Sequence, residues 1–295
     1  MTQSKKGFRI FATIILTVLS LFCIIPFLLL LVSSITNESS LIKHGYSFFT
    51  KDFDFTAYQY IFTNSDNIIQ AYFISFFVTL VGTIFGLTIT TLFAYPLSRK
   101  DLPGRNIFAF FIFFTMLFSG GLIPSYIMWT QAFGIKNTIA ALIIPNLLMN
   151  AFNVIMMRTY FTTNIPEAVI EAARIDGAGE FRILVKIVLP MSVPILTTLT
   201  LFIGLAYWND WLNGLYYINN KDLYSIQVLL NKMLLDSLFM MRGLSSKLHV
   251  DMVINMPSNG IKMAVAIMGV IPIMLVYPFL QKYFIKGIVI GAVKG

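Results

Sequence analysis

Three groups of side chains in this sequence have the types and spacing to recognise another molecule. Tyr207-Trp208-Asn209-Asp210-Trp211 sets three aromatic rings beside an amide and a carboxylate. Aromatic faces stack on ring-shaped ligands, and the amide and carboxylate can bond hydroxyl groups. The same composition also suits an aromatic belt at a membrane surface. Asn146, Asn150 and Asn153 fall at i, i+4 and i+7, which places them on one face of a helix. Such amides serve either interhelical hydrogen bonds or a polar ligand. The third group lies between Pro166 and Pro190, where Glu171-Ala172-Ala173, Asp176 and Gly177 interrupt apolar sequence. Its alanines let another protein approach the backbone closely, while Glu171, Arg174 and Glu180 supply charge. An amphipathic helix resting on lipid headgroups would instead favour larger apolar residues and more lysine.

Other chemistry has little to work with. The single cysteine, Cys23, permits neither an internal disulfide nor a cysteine metal cluster. The two histidines, His44 and His249, are far apart in expected loops. The sequence has no Gly-x-x-x-x-Gly-Lys-Ser/Thr loop, so it should not bind ATP by that means. No nucleophile, histidine and carboxylate converge as a membrane enzyme would need.

The elements that must position these groups are membrane spans. Of 295 residues, 57% are hydrophobic and only 12% charged, about half the charged share of a soluble domain. Such a chain cannot cover itself with a hydrated surface, and it reads as one all-helical integral membrane domain over residues 1–295. Ile10 to Val32 is an uncharged run of 23 residues, enough to cross hydrocarbon. It is longer than a secretory signal core, so it reads as an uncleaved first span. The second span, Ile68 to Leu97, carries Gly82, Gly86, Thr90 and Ala94 at four-residue intervals, a face for close helix packing. The third runs from Asn106 to Trp129, with Gly120-Gly121 and Pro124 marking a break. The fourth, Thr138 to Tyr160, holds the three asparagines. The fifth runs from Met191 to Leu212, and the sixth from Met263 to Phe284.

Six spans put both termini on one side. That side then takes thirteen of the 21 Lys and Arg residues and five of the 13 Asp and Glu residues, concentrated in short connections. The positive-inside rule makes it cytoplasmic. The whole net charge of +8 resides there, so no nucleic-acid partner is needed to explain it. The loops at about 33–67 and 213–262 fall outside the cell, and the Pro166 stretch falls in the cytoplasm. Within that loop, about 164–189, Asn164 can cap a helix, Pro166 suits its first turn, and Glu167 suits its positive end. Gly177 ends it with a left-handed residue, and Pro190 breaks a second helical piece before the fifth span.

Glu171-Ala172-Ala173, Gly177, Ile187 and Leu189-Pro190 resemble, in identity and spacing, the EAA motif of binding-protein-dependent ABC importer permeases. Phe118 to Pro124, Met156 to Phe161 and Trp208-Asn209-Asp210-Trp211 resemble the carbohydrate branch of that family. The ending Gly291-Ala292-Val293-Lys294-Gly295 is similar to the tail of the maltose-type second permease subunit, with Ala292 in place of a glycine. The resemblance implies a type I permease fold and half of a heteromeric path for oligosaccharides. It implies a second permease subunit, two cytoplasmic ATPase subunits carrying ATP and magnesium, and a lipid-anchored or periplasmic sugar-binding protein. It places the chain in the plasma membrane of a bacterium, of Gram-positive type. Glu171 would contact the ATPase, Ala172 and Ala173 would allow docking, Asp176 would lie beside it, and Gly177 would turn the chain. A gradient-driven secondary transporter is the alternative. It would carry ionisable residues at mid-membrane and internal repeats, and neither shows in the central part of any span.

Overall fold

In a computed structural model, residues 3–64, 68–243 and 258–292 are described. The described residues are helical apart from turns and one isolated antiparallel bridge, Thr36 to Phe53. They form α1 (Gln3–Ser34), α2 (Glu38–His44), α3 (Thr56–Asn64), α4 (Ile68–Ser98) and α5 (Arg105–Leu117), then α6 (Leu122–Ala132), α7 (Ala140–Ile143), α8 (Ala151–Asn164) and α9 (Glu167–Ile175). After these come α10 (Glu180–Met191), α11 (Val193–Trp208), α12 (Leu212–Tyr217), α13 (Ile226–Gly243) and α14 (Ser258–Ala292). Part of the expected outer loop, residues 244–257 with His249, and the final Val293-Lys294-Gly295 lie outside the described residues.

Among the described residues, three helices are long and apolar enough to cross a membrane singly: Lys6–Ser34, Ile68–Ser98 and Asn259–Pro278. Two bent pairs qualify together, α5 with α6 at 111° and α10 with the chain from Val193 to Tyr217 at 86°. The first bend falls at Phe118 to Gly121, where Gly121 takes φ +85°, as the paired glycines predict. The expected fourth span is not one helix. The chain leaves α7 at Ile143, turns through Asn146 at φ +62°, and re-enters helix at Ala151. Asn tolerates the left-handed region better than most residues, so Pro145-Asn146 is a turn inside an apolar run.

The chain divides into two compact units, Met1–Ile68 with Leu230–Pro272 and Ile69–Leu229 with Ile273–Gly295. In the first, α1 exposes its apolar side chains along its length, which only hydrocarbon or another protein tolerates. The polar segment after it is locally ordered. Asn37 accepts the Ser39 backbone N–H at 3.0 Å, capping α2, and donates to Asp54 at 2.9 Å. Glu38 accepts the backbone N–H groups of Asn259 and Gly260 at 3.1 and 3.0 Å, so its carboxylate satisfies donors at the start of α14.

In the second unit the small-residue face of α4 packs closely. A Cβ on Gly82 would lie 2.5 Å from the ring of Tyr207, and one on Gly86 would lie 3.2 Å from Ile203. Ile203 and Tyr207 are one turn apart on α11, matching the four-residue interval of the glycines. Thr90 and Ala94 continue the face and are buried. Helix α8 packs against α5 and α11, with Met157, Phe161, Ile183 and Leu199 fully buried in one core.

Candidate functional site

Helix α9 is short and amphipathic. Its Ile170 is 1% exposed and Ala173 8%, and both join the core that holds Ile183 and Val188. Val169, Glu171, Ala172 and Ile175 face outward, and Ile175 is 87% exposed. The two alanines of the motif therefore part: Ala172 is open to solvent, while Ala173 packs inward. An outward isoleucine this exposed, three residues from an outward alanine, leaves an apolar strip that a partner could cover.

Both ends of α9 are specified locally. Pro166 occupies the N-cap at φ −62°, ψ 130°, and Val169 donates to its carbonyl at 3.2 Å. Asn164 does not cap α9, contrary to expectation. It ends α8 instead, donating to the Tyr160 carbonyl at 3.2 Å and the Thr163 hydroxyl at 2.9 Å. Gly177 takes φ +80°. Its N–H reaches Arg174 O at 3.0 Å, and the Ala178 N–H reaches Ala173 O at 2.9 Å, the pair of bonds of a Schellman ending. Asp176 is the exposed C-cap.

Pro190 does not break the next helix where expected. Leu184–Val188 widens into a π turn just before it, and the helix runs on to Met191. A wider turn fits a ring and a missing N–H with less loss than a regular one. The break comes at Ser192, φ −106°, ψ 14°.

Charge pairs hold α9 from the side. The Arg174 guanidinium reaches Asp101 at 2.8 Å, in the turn between α4 and α5, and Glu180 at 2.7 Å, at the start of α10. Glu180 also accepts the Tyr95 hydroxyl, near the end of α4. Lys100 pairs with Glu167 at 2.6 Å. The Arg99 guanidinium lies 5.4 Å over the Tyr95 ring, within cation–π range, and Arg158 donates to Leu97 O at 3.1 Å. The hydrogen bond from Lys100, then its charge, holds the Glu167 carboxyl below the usual carboxylate range. Asp101 is lowered first by its own backbone N–H and then by Arg174. The bond to Glu180, followed by that to Asp101, raises the Arg174 guanidinium further. A cavity of about 410 Å³ opens beneath this network, lined by Tyr95, Arg99, Asp101, Arg174, Glu180 and Phe181 among others. Arg174 stood out in the sequence only as a charge. Nothing in the spacing of Asp101, Arg174 and Glu180 signals that one side chain joins all three segments.

The aromatic group is split by its packing. Tyr207 is buried, and its hydroxyl donates to Ile143 O at 2.9 Å. Trp208 is buried against Phe76, with ring centroids 5.2 Å apart. Asn209 caps the end of α11, donating to Leu205 O at 2.9 Å. Asp210 accepts the Asn213 N–H at 3.4 Å, and Trp211 remains exposed. The three asparagines do not share a face. Asn146 sits in the turn, Asn150 caps α8 by accepting from Phe152 and Asn153, and Asn153 is buried one turn on. A turn between α7 and α8 resets the helical register that the i, i+4, i+7 spacing assumed. Asn213 and Asn137 are the anchors that spacing did not reveal. Asn213 donates to Pro145 O at 3.0 Å, and Asn137 at φ +59° accepts the N–H groups of Asn219 and Asn220.

Comparison with known proteins agrees with this architecture. A family model described as binding-protein-dependent transport system inner membrane component matches residues 104–290. The polygalacturonan/rhamnogalacturonan transport system permease protein YtcP of Bacillus subtilis (strain 168) is 38% identical over 280 residues, 95% of this chain and 96% of that protein. Protein LplC of the same organism is 35% identical over 295 residues, covering 100% of this chain and 97% of its own. Among solved structures, a bacterial ABC transporter involved in the import of the acidic polysaccharide alginate has a chain 29% identical to this one. It superposes with a TM-score of 0.77, over 96% of this chain and 99% of that one.

Proposed function

The chain belongs to the binding-protein-dependent transport system inner membrane components, a family of ABC permeases that includes sugar transporters, and from that premise we propose that it forms half of the translocation path of an ATP-driven oligosaccharide importer. Helix α9 is the coupling helix in this reading, and the ATP-hydrolysing subunits grip it in the cytoplasm. The observation that carries the assignment is the outward strip of α9, with Glu171, Ala172 and Ile175 exposed on a short helix pinned at both ends. A helix that must transmit a push needs an open face and rigid ends. Glu171 contacts the ATPase, Ala172 permits close approach, Ala173 seats the helix on its own core, and Asp176-Gly177 turns the chain away.

In this reading the chain crosses the membrane six times with both termini inside: three single helices, the two bent pairs, and the α7–α8 segment interrupted at Asn146. A second permease subunit completes the path, and an outer sugar-binding protein, lipid-anchored or periplasmic, delivers substrate. ATP and magnesium reside on the partner ATPase. The relatives named for polygalacturonan/rhamnogalacturonan and for alginate support oligosaccharide fragments of such polymers as the substrate class. Exposed Trp211, Asn209, Asn146 and Asn150 are the members of the sequence-derived set free to meet a sugar, whereas Tyr207, Trp208 and Asn153 serve mainly to hold the helices. The site makes no demand for catalytic groups, and among the described residues no three His, Cys, Asp or Glu side chains are grouped to hold a metal.

A photo-crosslinking amino acid at Ala172 tests the assignment in the complete transporter. A crosslink to an ATPase subunit is expected. Crosslinks to lipid alone would overturn it and favour a helix lying on the headgroups.

A further inference from the structure

Helix α9 is continuous in sequence with α8 and α10, yet its charged side chains reach a different place. Arg174 and Glu167 both bond to the turn between α4 and α5, through Asp101 and Lys100. Glu180 extends the tie to the end of α4 through the Tyr95 hydroxyl. One guanidinium with several donors in a fixed fork can hold two carboxylates at once, which lysine cannot copy. The two straps are attached seven residues apart on α9, at Glu167 and Arg174, two turns of the same helix. Two attachments along a helix resist rotation as well as translation.

We infer that Arg174, with the Lys100–Glu167 pair, is a positioning device that locks α9 to the α4–α5 turn, so that a displacement of α9 carries the ends of α4 and α5 with it as one body. The proposal rests on the reading of α9 as the coupling helix and adds the route its motion takes. Without the straps, a push on α9 would pass along the chain into α8 and α10 and through the core contacts of Ile170 and Ala173. With them it also reaches α4, whose glycine face packs on Tyr207 and Ile203 of α11.

The experiment uses the complete transporter in nanodiscs, with Cys23→Ser and nitroxide labels at Ala168→Cys and Asn106→Cys. Pulsed electron spin resonance reads the distance between α9 and α5, without nucleotide and after trapping with ATP and vanadate. The straps predict one distance distribution in both states. Arg174→Gln combined with Lys100→Gln should make it broaden, and shift by several ångströms on trapping. The exchange Lys100→Glu with Glu167→Lys should restore the narrow distribution that either single change loses. A distance that already shifts in the strapped transporter overturns the proposal, as does a cut variant that behaves like the parent. If the ATPase subunits leave the complex on Arg174→Gln, the guanidinium belongs to the docking face and the strap reading also falls. The failure of the coupling-helix reading looks different, because there the ATPase subunits of the unaltered chain give no crosslink at Ala172. Should the double variant fail to insert, the charge exchange alone decides the question.

Discussion

Gly82 on α4 lies against the ring of Tyr207 on α11, so closely that a Cβ there would stand 2.5 to 2.6 Å from three ring carbons. In lipid, helices associate by packing rather than by apolar burial, and at this contact two apolar helices meet with no room for a further carbon. Gly82→Ala should therefore destabilise the helix pair by about 1–3 kcal/mol, the usual range for overpacking. Gly214→Ala should do at least as much, since its Cβ would meet Val228 at 2.2 Å. Thermal unfolding in detergent checks both, with Gly179→Ala, which meets nothing within 4 Å, as the control. Equal melting of Gly82→Ala and the control would refute the packing account.

Gly177 presents the opposite case. Nothing lies within 4 Å of its Cβ position, but φ is +80°, so a side chain there meets strain rather than a neighbour. A left-handed conformation costs about 1–2 kcal/mol for an ordinary residue and less for Asn. Gly177→Val should impair transport with insertion intact, and Gly177→Asn should recover much of the loss. Uptake by membrane vesicles at matched protein levels measures this.

The same contrast shows what the sequence made legible. Glycines read well. The stripe on α4, the break at Gly120-Gly121 and the turn at Gly177 all lie where spacing and φ freedom put them. The misplaced elements share another cause: each assumed that a helix continues or caps by local rule. Asn146, Asn150 and Asn153 share a face only if the helix is unbroken, and a positive φ at Asn146 breaks it. Asn164 was available to cap α9, but the end of α8 had carbonyls to satisfy first. Pro190 should have stopped a helix, and a π turn let it pass. The Arg174 network was illegible for a simpler reason, since it joins residues 73 positions apart, Asp101 to Arg174, that only the fold brings together.

The straps carry a pH signature. Glu167 and Asp101 titrate below the ordinary carboxylate value, about 4. A depressed carboxyl stabilises the folded arrangement fully above the unfolded value, and that contribution fades as pH falls through the lowered one. Exchange of the α9 backbone amides, corrected for intrinsic rate, should be unchanged between pH 8 and pH 6 and faster below about pH 4. High salt should act in the same direction at neutral pH, because the pairs are exposed and screened. Exchange indifferent to both would mean that the pairs hold nothing.

The two tryptophans of the aromatic group should separate. Trp208 is buried on Phe76, so Trp208→Ala should cost about 3–5 kcal/mol of stability and reduce the amount of assembled transporter. Trp211 is exposed, so Trp211→Ala should leave melting within about 0.5 kcal/mol of the parent and raise the KM for sugar uptake if it touches substrate. Differential scanning fluorimetry beside uptake kinetics distinguishes the roles. Unchanged kinetics for Trp211→Ala would assign that ring to the membrane interface.

As the proposed coupling helix, α9 would be where ATP-driven force enters this chain. The most direct measurement is uptake of oligosaccharide by proteoliposomes containing the complete transporter and its binding protein, with Glu171→Arg set against the parent at equal insertion. Uptake should be lost while the chain stays folded and in the membrane. Uptake at the parental rate would contradict the coupling role of α9.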